Sequence, residues 1–162
     1  MNPDAEAVAI RHMTAADLAA VQALAGNLPE APHWPPSAYH DAIDPAATRR
    51  RIALVAVEPT SCTVRGFAVA SLLPPQAELE TIAVAAANRR QGLGQKLFRS
   101  LAAKLQAAGV SELLLEVRAS NRPALAFYQT LGFVRTGLRP GYYTDPIEDA
   151  LLMRLPLAAE SA

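Results

Sequence analysis

The chain has 162 residues, 51% hydrophobic and 19% charged, with 15 Lys+Arg balancing 15 Asp+Glu and one cysteine, Cys62. That length fits one domain over residues 1–162. The even charge gives no overall field to draw nucleic acid or an anionic membrane, and the lone cysteine excludes an internal disulfide framework and a thiolate metal cluster. The first residues have neither a basic n-region nor an apolar h-region, and no window approaches the roughly 18–20 apolar residues of a membrane span. A soluble, cytoplasmic protein is expected, with loose tails at about residues 1–6 and 158–162.

Val8 to Arg11 reads as a short strand. Thr14 then caps a helix in which Leu18, Val21 and Leu24 recur at helical spacing and which Gly26 and Asn27 stop. From Leu28 to Pro36 proline is too dense for either element, and a short helix is expected from about Ser37 to Ile43. "RIALVAVE" and "VRGFAVASLL" are apolar and β-branched. The turn "PTSC" makes them a hairpin, and "AELETIAV" after Pro74-Pro75 supplies a third antiparallel strand. Gly92 to Ala108 follows as a long helix, its stripe formed by Leu93, Leu97, Phe98, Leu101 and Leu105, with Lys104 snorkelling and Gly109 just beyond the end. "ELLLEV" (Glu112 to Val117) has the near-continuous apolar pattern of a strand covered on both faces, and the helical connection makes it parallel to the strand before. "NRPALAFYQTLGF" is a further helix with Asn121 as cap, Pro123 in its first turn and Gly132 at its end. Strands near Val134 to Leu138 and Ala150 to Leu155 flank a loop, "RPGYYTDPIED".

Gly92 and Gly94 fall where a helix begins, and the first four N–H groups of a helix have no internal partner. Two missing Cβ atoms beside Arg89 and Arg90 leave bare backbone that an anion could approach. The same pair serves equally as a tight helix entry. The spacing is neither that of the Walker loop nor that of the dinucleotide fingerprint. Glu116 interrupts an apolar strand: it is either a partly buried carboxylate suited to accept a proton or the partner of Arg118. Tyr128, three residues from both Leu125 and Leu131, lies on the apolar face of its helix, where a core ring is the plain reading.

"RRQGLGQKL" resembles the acetyl-coenzyme A signature of the Gcn5-related N-acetyltransferase (GNAT) superfamily, with Arg89, Gly92 and Gly94 at the signature positions. "LETIAVAAANRRQGLGQKLF", "LLLEVRASNRPALAFYQTLGF" and "GYYTDPIEDALLM" together resemble its RimI branch, which acetylates the N-terminal alanine of a small-subunit ribosomal protein. The resemblance covers roughly Leu79 to Leu155. It implies an α/β (α+β) fold: a mixed, mostly antiparallel sheet of about six or seven strands with about four helices, splayed between strands 4 and 5. It further implies acetyl-CoA as co-substrate, no metal, and direct transfer to an amine. Backbone N–H groups of Arg90, Gln91, Gly92, Leu93, Gly94 and Gln95, beside Arg89, would hold the pyrophosphate. The main chain of Ile82, Ala83 and Val84 would pair with the pantetheine arm, the Val84 N–H would polarise the thioester carbonyl, and Asn121, also a helix cap, would touch the coenzyme. Glu116 would be the general base and Tyr128 the acid that protonates the leaving thiolate.

On the acceptor side, Tyr142 and Tyr143 would line the peptide entrance, with Glu148 and Asp149 as the family's acidic pair before the last strand. Glu80 and Thr81 stand where enterobacterial members carry an apolar residue and asparagine. Glu80 is a second candidate base, since alternation along its strand aims it at the cleft. His33 and Trp34 either edge the acceptor groove or, for the tryptophan, pack on the neighbouring helix. An α-amine titrates near ~7.7–8.0 and a lysine near ~10.4, so a protein N-terminus asks less of a base at neutral pH. A small amine is the alternative acceptor, and a coenzyme-binding module without catalysis the alternative class. No nucleic-acid or membrane partner is expected, and the protein would be a monomer or homodimer.

Overall fold

The computed structural model describes residues 8–28, 34–89 and 91–157; His33, Arg90 and the two expected loose tails lie outside them. A seven-stranded sheet has the order β1-β2-β3-β4-β5-β7-β6. Its strands are β1 (Ala9–His12), β2 (Arg51–Val57), β3 (Val64–Leu73), β4 (Gln76–Val84), β5 (Glu112–Arg118), β6 (Val134–Tyr143) and β7 (Glu148–Pro156). Helices α1 (Leu18–Gly26) and α2 (Pro36–Ile43) cover one face, and α3 (Leu93–Ala107) and α4 (Arg122–Thr130) the other. β1 to β4 form an antiparallel meander, and the crossover through α3 makes β4 and β5 the parallel pair.

The stripe expected on α3 is its buried face: Leu97, Leu101 and Leu105 are fully buried against Leu54, Leu113 and Leu115. A second cluster on the opposite face gathers Val21, Tyr39, Val55, Phe67 and Val69. Alternating residues of β2 and β3 supply both clusters, which explains why those strands are apolar on nearly every position.

Two irregularities shape the site. β3 and β4 slip register between Val69↔Thr81 and Ala70↔Leu79, leaving Glu80 as the extra residue of a bulge. The alternation therefore changes phase there: Ala77 and Leu79 join the α3-side core, and so do Ile82 and Val84. The second irregularity lies in β6, which runs on past Leu138 to Tyr143, while β7 begins at Glu148. The sequence reading ends the strand near Leu138, ahead of Pro140-Gly141, but a register shift between Arg139 and Tyr143 absorbs that pair, with Gly141 at φ 60°. Tyr142 and Tyr143 are thus strand residues, and the connection shrinks to 144–147.

β4 and β5 pair only at Gln76↔Glu112, Ala77↔Leu113 and Glu78↔Leu114, and then part. β5 meanwhile stays paired with β7 from Glu112 to Arg118. The opening between β4 and β5 is the splay that the family resemblance implies. Because α3 holds both sides of it, Leu101→Ala should destabilise the fold by about 2–5 kcal/mol, seen as a lower urea midpoint at unchanged slope. A loss under about 1 kcal/mol would contradict the packing described.

Candidate active site

At one end of the opening stands the start of α3. Gly92 is its N-cap with φ 75°, a left-handed conformation that any Cβ would strain, although open space surrounds the position. Gly94 answers a different need. A Cβ there would come 3.2 Å from the Phe127 ring and 3.7 Å from Val84, so this glycine lets α4 and β4 close on the helix start. Lys96 N–H already bonds Gly92 O, which leaves the preceding first-turn N–H groups, those of Leu93, Gly94 and Gln95, without helical acceptors. Among the described residues no side chain caps them. Arg89 and Gln91 are exposed beside this turn, and Gln91 donates to Ala87 O at 3.3 Å. Bare amides, a positive helix end and a nearby guanidinium fit a diphosphate.

From the α4 side comes Tyr128, on rings at 5.8 Å (Phe127) and 5.7 Å (Phe133). Burial, and secondarily Tyr143, pushes its phenol up to about 12, so it holds its proton throughout the neutral range. Asn121 caps α4, accepting from Ala124 N at 3.3 Å, so the cap role is realised.

From β5 comes Glu116, whose side chain is mostly covered. Its partner is Arg139, at 3.5 Å, not Arg118, which turns to Glu148 at 3.4 Å. The Tyr142 hydroxyl also faces Glu116, and that interaction is the main reason its phenol is raised. The Tyr143 phenol is raised first by burial and then by Glu116. Tyr142 and Tyr143 meet edge to face at 5.1 Å, so both tyrosines, Glu116 and Tyr128 gather at the opening.

Glu80 is placed otherwise than alternation suggests. The bulge delivers it to Arg51 Nε at 2.8 Å and Arg49 Nη1 at 3.6 Å, with its side chain 12% exposed. Two guanidiniums engage both of its oxygens, which would have to give up these partners before an amine could approach. Its neighbour Glu78 is the carboxyl pushed up, by burial first and then by Glu116 and Glu80. Glu78 and Arg139 are the two site residues that the sequence reading missed. A phase break inside "AELETIAV", with apolar Leu79 odd and Ile82 even, was the available signal for Glu78; Arg139 carried none.

The remaining expectations resolve simply. Trp34 packs on Tyr39, with ring centroids 5.2 Å apart, against the α1–α2 core. Glu148 accepts from Ser120 N at 2.6 Å, and Asp149 accepts from Gly141 N at 2.9 Å, so the acidic pair braces loops. Cys62 is exposed in the β2–β3 turn. Among the described residues no helix is long and apolar enough to cross a membrane, and no three His, Cys, Asp or Glu could hold a metal ion together.

Gly92 and Gly109 allow a controlled test, since both have positive φ with open space for a Cβ, but at opposite ends of α3. Each Gly→Ala change should cost about 1–2 kcal/mol of stability. Only Gly92→Ala should also weaken binding of acetyl-CoA, measured by calorimetry. Equal loss from both variants would remove the anion seat from Gly92.

Residues 19–133 match the family model described as Acetyltransferase (GNAT) family. The chain is 45% identical over 94 residues to the ribosomal protein bS18-alanine N-acetyltransferase of Escherichia coli (strain K12). That match spans 57% of this chain and 64% of the relative, under two thirds of its length. A Bacillus subtilis (strain 168) protein provisionally given the same name is 31% identical over 145 residues, spanning 90% of this chain and 93% of that one. The crystal structure of the ribosomal-protein-S18-alanine N-acetyltransferase from Escherichia coli superposes with a TM-score of 0.80 at 32% identity, over 96% of this chain and 98% of that one. With the parted strands and the glycine turn at the head of α3, these likenesses make the chain a member of the acetyltransferase (GNAT) family.

Proposed function

We propose that this protein is an acetyl-CoA-dependent N-acetyltransferase that acts by direct transfer on a protein N-terminal α-amine. The observation that carries the proposal is the opening between β4 and β5, with Glu116 contributed by one strand and Tyr128 by the helix beneath. The names of the relatives, which specify the alanine of ribosomal protein bS18, support a protein N-terminus as the acceptor class. The reading carries a cytoplasmic location and a monomer or homodimer.

When bound, acetyl-CoA supplies the activated thioester. The amides of Gln91 to Gln95, with Arg89 beside them, seat its diphosphate, and Arg90 belongs to the same stretch in the family pattern. Past Glu78 the β5-facing edge of β4 has no partner strand, so the main chain of Ile82, Ala83 and Val84 is available to bind an extended arm as a strand would. The Val84 N–H polarises the thioester carbonyl, and Asn121 adds a polar contact from the head of α4. Glu116 takes the proton released as the amine attacks. Tyr128 gives its proton to the departing sulfur. A phenol near about 12 is a weak acid toward an ordinary thiol near ~8.5, but the burial that raises the phenol raises the thiol as well, which narrows the gap.

Tyr142 and Tyr143 line the acceptor side. Glu80, paired with Arg51 and Arg49, lies beside this side, and Glu116 is the base.

A panel of Ala- and Ser-initiated peptides and small amines, read by thiol release, tests the acceptor. Turnover of a peptide is expected, and turnover of amines alone would move the protein to the small-amine class. Glu116→Gln and Tyr128→Phe should each lower kcat by about 10²-fold or more while acetyl-CoA still binds. Unchanged turnover in the double variant would remove both residues from the chemistry. Coenzyme binding by the wild type without turnover of any acceptor would favour a non-catalytic module.

A further inference from the structure

The connection between β6 and β7 is closed by one pair, Tyr143↔Glu148, set apart from the rest of the ladder by a register shift, and within it Asp145 has φ 59°, uncommon outside glycine. Further support comes from β5. Arg118, the last residue of that strand, reaches Thr144 O at 3.5 Å, Pro146 O at 3.4 Å and the Glu148 carboxylate at 3.4 Å. Its guanidinium also lies 4.4 Å from the centre of the Tyr143 ring. Each polar contact is long and individually weak. Together they use the planar fork in a way that the point charge of a lysine cannot reproduce.

Glu148 extends the bracing. Its second oxygen accepts from Ser120 N at 2.6 Å, and hydrogen bonds from Ser120 keep its carboxyl below the usual range. Ala119 N bonds Asp149 O at 3.1 Å. The turn is thereby tied both to β5, which carries Glu116, and to the loop that starts α4, which carries Tyr128. Tyr143, under the Arg118 guanidinium, is also near enough to Glu116 for that carboxylate to help raise its phenol, and near enough to Tyr128 to help raise that one. Arg118 itself is engaged with the turn.

We propose that Arg118 is a positioning residue that locks the β6–β7 turn against β5 and so fixes Tyr142 and Tyr143 as a wall of the acceptor groove. It acts on acceptor binding, not on the coenzyme seat at the far end of α3. This inference rests on the acceptor side assigned above, and the test has an arm independent of that assignment.

Arg118→Gln, Arg118→Lys and Glu148→Gln are compared with the wild type by two readouts. The first is hydrogen exchange of the 140–149 amides. It should quicken at least about tenfold in Arg118→Gln and by less in the other two, with α3 unchanged. The second is steady-state kinetics with an Ala-initiated peptide. The peptide KM should rise about tenfold in Arg118→Gln while the KM for acetyl-CoA stays within about twofold, and adding Glu148→Gln should cost little more. Unaltered exchange at 140–149 would overturn the clamp, as would a parallel change in both KM values and kcat, the mark of a merely structural role. If Arg118→Gln fails to fold, Arg118→Lys and Glu148→Gln decide by the same criteria. If the wild type turns over no acceptor, the proposed function falls and the exchange measurement alone decides the clamp.

Discussion

β4 and β5 pair at three positions and then part, and the chemistry of the molecule depends on that parting. A parallel pair that continued would satisfy the β4 edge with its neighbour and leave no backbone there for a ligand. Two features keep the strands apart without unravelling the sheet. β5 has a complete partner in β7, so losing β4 leaves only one of its edges free. α3 and α4 pack across both sides of the gap, with Phe98, Tyr128 and Phe133 in ring contact beneath it. The opening is therefore built into the fold and does not wait for a ligand to pry it apart.

Charge around the opening is sorted by geometry. The Glu80 bulge pairs one carboxylate with Arg51 and Arg49. Among the described residues Glu116 has one cation, Arg139, at a looser 3.5 Å and mostly exposed, with the Tyr142 phenol beside it. A carboxylate with exchangeable partners can release them to an incoming amine, whereas one held by two guanidiniums cannot do so cheaply. Glu78 is raised first by desolvation and then by the like charges of Glu116 and Glu80.

Much of this was legible in the sequence. The stripe on α3, the caps of α4 and the apolar runs of β2 and β3 follow from periodicity that their packing then uses. The positions of Glu116 and Tyr128 could be read as to element and face. Their convergence could not, because it depends on pairing between segments distant in the chain. Gly92 and Gly94 looked like one feature and are two: one supplies a left-handed dihedral, the other makes room for the Phe127 ring. Register was the least accessible property. A single extra residue at Glu80 reverses which side chains face the cleft, and Pro140-Gly141, which reads as a strand end, lies inside β6. Of the two readings of Glu116, the pairing with Arg118 is not realised, for a related reason. Arg118 is its neighbour in sequence, but the β6–β7 turn offers Arg118 several acceptors at once, and Arg139 reaches Glu116 from the far strand.

The most direct measurement is a crystal structure with an analogue that joins coenzyme A to an Ala-initiated peptide. The diphosphate should lie on the amides of residues 91–95, and the nitrogen derived from the peptide should lie about 2.6–3.2 Å from the Glu116 carboxylate or one water away from it. A nitrogen placed instead on Glu78 or Glu80, or a diphosphate away from the head of α3, would contradict the assignment of this opening as the transfer site.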